Sequence, residues 1–137
     1  MEKKTKQVPK KRVNVRRIGH SYERLIVQDH KKLGYERAAS TRATSRIMDD
    51  AKIDINGIPF NIQCKSVRKG LNVFTTLNEM VEAIPKLVPE REQFINLVFH
   101  KKEREEVVVI SKSDWYLVVE KLKENGIELK KPNCSSY

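Results

Sequence analysis

Apolar and polar residues alternate with recognisable periods along most of the chain, and Gly, Pro and charged residues punctuate them. Tyr22, Leu25, Ile26 and Leu33 recur at near-helical spacing, so the pattern predicts a helix over Ser21–Leu33 that stops at Gly34. Tyr35–Thr41 reads as a short strand and residues 40–46 as a polar basic loop. In residues 53–65, Ile53, Ile55, Ile58, Phe60, Ile62 and Cys64 can share one face of a hairpin. Asp54, Asn61, Gln63 and Lys65 then share the other, and Asn56-Gly57 supplies a turn signal because both residues tolerate positive φ.

The second half follows the same logic. Phe74, Leu77, Met80, Val81 and Ile84 predict a helix over 71–88, bent or ended by Pro85. Phe94–Phe99 and Val107–Ile110 read as strands joined by the charged turn Lys101–Glu105. Ser111 or Ser113 can cap a last helix, and Gly126 stops it. Trp115, Val118, Val119 and Leu122 form that helix's stripe and are expected in the core. The expected order is α-β-β-β-α-β-β-α, an α/β fold with a central mixed sheet flanked by helices.

Composition adds an asymmetry to this picture. The 137 residues suit one domain, and the formal net charge is +10. Residues 1–46 hold fourteen Lys/Arg against four Asp/Glu, whereas in residues 47–137 the two signs cancel. A basic third joined to a neutral body suits a polyanionic partner, although a solubilising tail has the same composition. Residues 1–17 read as a flexible basic arm, 18–127 as the folded domain and 128–137 as a loose tail. No apolar run approaches the ~18 residues of a membrane span, and the N-terminus lacks the apolar segment of a secretory signal. Two cysteines without CxxC spacing argue against a zinc site or disulfide framework and fit a reducing cytoplasm.

The segment DINGIPFNIQCK, running from Asp54 to Lys65, resembles the active-site hairpin of PD-(D/E)xK nucleases, with Gln63 in the usual Glu position. It is most similar to the hairpin of small Holliday junction resolvase-like proteins of archaea and phages. Mrr-like restriction nucleases also place Gln there. Gly19-His20-Ser21-Tyr22-Glu23-Arg24 occupies the place of the Gly-x-Ser-x-x-Glu-like helix with which those resolvases open. The resemblance covers roughly residues 19–125 and implies a restriction-endonuclease-like core.

It also implies a site. Asp54 would be the principal ligand of Mg²⁺ (with Mn²⁺ able to substitute), with Gln63 through its amide oxygen, Cys64 through its backbone carbonyl, and Glu23 directly or through water. Lys65, two residues from Gln63 on the same face, would orient the attacking water or stabilise the phosphate. Asp54, Gln63 and Lys65 also suit the solvated face of an ordinary amphipathic hairpin. Register matters too. A two-residue turn at Asn56-Gly57 sets Gln63 opposite Asp50 and leaves Asp54 roughly 13 Å away. A wider loop centred between Ile58 and Pro59 sets Asp54 opposite Gln63. Asp54 is the choice and Asp50 the reserve; as strand residues, Asp49 and Asp50 would point to opposite faces.

The implied activity is a Mg²⁺-dependent endonuclease, most simply a Holliday junction resolvase acting on branched or four-way junction DNA as a homodimer. A flap, nicking or restriction nuclease, or a non-catalytic nucleic-acid-binding protein, is the alternative. Lys10, Lys11, Arg12, Arg16 and Arg17 would track phosphates, while Arg42 and Arg46 would contact DNA near the scissile bond.

Overall fold

The computed structural model describes residues 15–67 and 72–132. Helix α1 (Val15–Lys32) starts well before the expected Ser21 and runs through Gly19, a residue that costs a helix interior about 1 kcal/mol without breaking it. It ends as predicted. Gly34 has φ +107°, Tyr35 N–H donates to His30 O at 2.9 Å and Gly34 N–H to Lys31 O at 3.1 Å, a Schellman close.

The expected strand over Tyr35–Thr41 shrinks to β1 (Ala39–Ser40), and the expected basic loop is two short helices, α2 (Thr41–Thr44) and α3 (Arg46–Asp50). Ser45 starts α3 by accepting from Met48 N–H at 3.3 Å. β1 pairs with β2 (Ile55–Asn56), antiparallel, in a small two-stranded sheet.

The main sheet has three strands in the order β3 (Asn61–Ser66), β4 (Asn96–Lys102), β5 (Glu105–Ile110). β3 and β4 are parallel, with Gln63 beside Val98 and Lys65 beside His100; β4 and β5 are antiparallel. The sheet is therefore mixed, as expected. The β3–β4 crossover carries α4 (Val73–Leu87), whose cap Asn72 accepts from Phe74 and Thr75 N–H. Pro85 neither ends nor shortens α4, which continues to Leu87. A 3-10 turn over Pro89–Arg91 follows, and α5 (Lys112–Glu124) closes the chain behind its cap Ser111.

Two apolar clusters hold the layers together. One joins α1 to a sheet face through Tyr22, Ile26, Val27, Ile55, Ile58, Ile62 and Cys64, with Phe60, Leu97 and Phe99 against it. The other joins α4 to the opposite face through Leu77, Met80, Ile84, Val88 and Val98, with Met48, Ala51 and Ile53. Ile53 thus leaves the face expected for it, because the chain bends at Asp54 instead of continuing a regular ladder.

Three further expectations are corrected. Phe74 and Val81 of α4 are exposed, the core stripe being Thr76, Leu77, Met80 and Ile84. Trp115 and Val119 are exposed and Val118 and Leu122 only half-buried, so α5 contributes no buried residue. Asn56-Gly57 is not a two-residue hairpin turn, since residues 57–60 make a wider loop. Gly57 is needed there: φ is +83°, and a Cβ would collide with the carbonyl oxygen of Arg37.

Candidate active site

The site is assembled on the strand where polar and apolar residues alternate. Ile62 and Cys64 turn toward α1, so Gln63 and Lys65 turn the other way. Asp54 is fastened to this strand at two points. Its N–H donates to Ile62 O at 2.7 Å, and its carboxylate Oδ2 accepts from Cys64 N–H at 2.7 Å. The wide loop therefore brings Asp54 beside Gln63 and Cys64. The polar face is not a solvated one: Asn61 and Gln63 are buried at 0% and 3% exposure.

These residues open into a cleft of about 560 Å³ lined by Glu23, Asp49, Asp50, Asp54, Gln63, Cys64 and Lys65, with Arg16, His20 and Lys52 at its walls. All four expected catalytic positions share this one space. Asp50 lines it as well, together with Asp49; both lie on helix α3, so the opposite-face rule for strand neighbours does not hold.

Electrostatically the cleft mixes carboxylates with the cations of Arg16, Lys52 and Lys65. The Oε1 of Gln63 is buried without a hydrogen-bond partner among the described residues, a costly arrangement for an amide oxygen. Burial chiefly, and then the charges of Glu23 and Asp49, push the Asp54 carboxyl from 3.8 up to about 7, against the opposing pull of the Cys64 N–H and Lys65. The same burial raises the Cys64 thiol well above its ordinary value. Carboxylates grouped with an unsatisfied amide oxygen suit a hard cation with oxygen ligands. The donor set is small: among the described residues no cluster of three or more His, Cys, Asp or Glu could hold a metal. A cation here would rely on the amide of Gln63 as much as on carboxylates.

Glu23 is buried on α1 and is already engaged. It accepts from Arg42 Nε at 2.9 Å and from Ser40 Oγ at 3.4 Å. Arg42, expected on DNA, is thus placed on Glu23, a partner nineteen residues away. Arg46 is exposed on α3 outside the cleft lining. Arg16 and Arg17 belong to α1, Arg16 facing the cleft, and not to an arm. Lys10, Lys11 and Arg12 lie outside the described residues. His20, which the sequence suggests as a helix-entry residue and not as a ligand or base, also lines the cleft; the signal that marks it is the i, i+3 spacing to Glu23 on one helix face.

Compared with protein-family models, curated proteins and solved structures, the chain matches none. Among the described residues no helix is long and apolar enough to cross a membrane.

Proposed function

We propose that the protein is a metal-dependent DNA endonuclease with a restriction-endonuclease-like core, acting as a Holliday junction resolvase on four-way or otherwise branched DNA. The observation that carries this reading is the buried Oε1 of Gln63, without a hydrogen-bond partner among the described residues, on a residue that lines one cleft with Asp54, Glu23 and Lys65. A Mg²⁺ ion, or Mn²⁺ in its place, would supply an activated water and charge neutralisation on the phosphate. Asp54, Gln63, the Cys64 carbonyl and Glu23 would hold it, with Asp50 in reserve.

The chain's own groups do the rest. The Cys64 N–H fixes the Asp54 carboxylate on β3 before any ligand arrives. Lys65, which makes no ion pair among the described residues, is left to orient the water or stabilise the pentavalent phosphate. Arg16 at the cleft wall and the basic residues of the N-terminal third supply sequence-independent phosphate contacts. Paired nicks in a junction call for two sites, hence a twofold homodimer.

A second reading has one observation in its favour. Glu23 is neutralised by Arg42, and the remaining ligand set is poor in charge. That suits a non-catalytic nucleic-acid-binding protein on the same scaffold, or a slow nicking, flap or restriction-type nuclease. Labelled four-way junction, flap and linear duplex, each incubated with Mg²⁺, Mn²⁺ or chelator, separate these. Junction cutting that needs metal and is lost in Lys65→Ala supports the resolvase; junction binding without any cutting favours the binding protein. Gln63→Glu supplies a full carboxylate, and junction cutting in Mg²⁺ is expected to be retained or to rise. A folded but inactive Gln63→Glu variant would show that the amide oxygen is not a ligand.

A further inference from the structure

Helix α1 takes part in two pockets. Arg16, His20 and Glu23 line the cleft described above, while Arg17, Ser21 and Tyr22, one position further round the helix, line a second pocket of about 220 Å³. The end of the sheet supplies the rest of that pocket. Ser66 follows Cys64 by two residues and so stands on the face of β3 turned to α1. Lys101 lies directly opposite Ser66 on β4 and shares that face. Ser66 borders both pockets, which makes them neighbours over the C-terminal end of β3.

The two pockets differ in charge. Carboxylates of Glu23, Asp49, Asp50 and Asp54 line the cleft, whereas the second pocket is lined by the cations of Arg17 and Lys101, the hydroxyls of Ser21, Tyr22 and Ser66, and no carboxylate among the described residues. Lys101 makes no ion pair among the described residues, and its Nζ lies 5.9 Å over the Tyr22 ring. Tyr22 is 2% exposed, and its hydroxyl is buried without a hydrogen-bond partner among the described residues, the same deficit that marks Gln63. Burial first, and then the nearby Glu106 carboxylate, raise the Tyr22 pKa, so the hydroxyl keeps a proton to donate. Glu106 stands opposite Lys101 on β5, outside the lining, and opposes an anion there; its approach to the Tyr22 hydroxyl falls short of hydrogen-bond geometry. Ser21 already donates to Arg17 O at 2.9 Å. Ile18 and Leu25, both exposed, add an apolar wall on which a sugar ring can lie.

We infer that this second pocket binds a phosphodiester group of the same DNA strand whose neighbouring phosphate enters the cleft. Lys101 and Arg17 supply the charge, and Ser66 and Tyr22 donate to the phosphate oxygens. The inference rests on the nucleic-acid reading above and adds to it a contact that needs no metal. Free phosphate has the same chemistry, but the shared border at Ser66 and the apolar wall favour a strand that continues from one pocket into the other.

Fluorescence anisotropy of a labelled four-way junction in chelator tests this by binding alone, without reference to cutting. Lys101→Ala should raise the dissociation constant about fivefold and lower the slope of log K against log salt by about one. Lys102→Ala, exposed on the opposite face of the same strand, should change affinity less than twofold. Glu106→Gln should tighten binding about twofold. Tyr22→Phe should weaken it about threefold with no fall in the unfolding midpoint, because it removes a hydroxyl that the free chain leaves unsatisfied. A wild type that binds the junction while Lys101→Ala binds it equally well overturns the pocket and leaves the nuclease reading untouched, as does an equal loss in Lys102→Ala. A wild type that binds no junction, yet shows inorganic phosphate shifting the Ser66 and Lys101 amide resonances, overturns the strand in favour of a small phosphate ligand. The expected binding pattern in a protein that cuts no DNA with either metal leaves the pocket standing and removes the nuclease reading.

Discussion

Asp54→Asn is expected to abolish junction cleavage and, at pH 8 without metal, to raise the midpoint of thermal unfolding. Both follow from one carboxylate. Its pKa in the folded chain is raised from 3.8 to about 7, mainly by burial. Between those values the folded chain keeps a proton that the unfolded chain releases, so stability falls as pH rises from about 4 to about 7 and stays low above. The amide carries no charge, and its oxygen can still accept from Cys64 N–H. Because Asp54 borders an open cleft, the full shift overstates the gain, and about 2 kcal/mol, or roughly 6 °C, is expected. Cleavage should fall about a thousandfold or more. Mg²⁺ at pH 8 should stabilise the wild type and not Asp54→Asn, and wild-type cutting should rise with pH through about 7. Scanning calorimetry and a junction-cutting time course check the pair of outcomes. A variant that stays active would show that Asp54 is not the principal ligand, and one that gains no stability at pH 8 would show that its charge is not held at a cost.

Arg91→Ala is expected to be the most destabilising single change outside the apolar core. The guanidinium donates to Asn61 Oδ1 at 2.9 Å, to Ile58 O at 3.1 Å and to Phe60 O at 2.7 Å, and lies 4.5 Å over the Phe94 ring. Asn61 returns the contact through its Nδ2 to Arg91 O and Asn96 Oδ1. Burial lowers the Arg91 pKa, a sign that the charge is held at some cost. Truncation leaves three acceptors unmatched, one of them on the fully buried Asn61. The expected loss is about 3 kcal/mol, roughly 10 °C. Arg91→Lys should recover only part of it, because an ammonium cannot span the same three oxygens. Urea denaturation of the three proteins decides this; a loss below about 1 kcal/mol for Arg91→Ala would mean that water replaces the network. The loop it fastens also positions Asp54, so cleavage should weaken along with stability.

The parts of this molecule that sequence discloses are those whose causes are local. Gly34 and Ser111 mark helix ends because the φ angle and the cap act within a few residues. Gln63 and Lys65 share a face because strands alternate, whatever surrounds them. Where a distant contact decides, local pattern fails. Residues 41–50 hold few apolar residues, so α2 and α3 leave little periodic trace. Ile53 changes face because Asp54 is pinned by Ile62 and Cys64 across the loop. Trp115 and Val119 keep a core-like spacing on a helix that the rest of the fold does not cover. The Glu23–Arg42 pair joins α1 to α2, and neither residue's neighbours in the chain announce the other.

Cys64 does two unrelated jobs at once. Its amide holds Asp54, while its side chain is buried in the cluster beneath α1 with its ionisation suppressed. A thiol reagent therefore meets almost no reactive sulfur there until β3 parts from α1. The rate at which Cys64 is alkylated becomes a clock for opening of the very strand that carries the cleft, built into the native chain and needing no label.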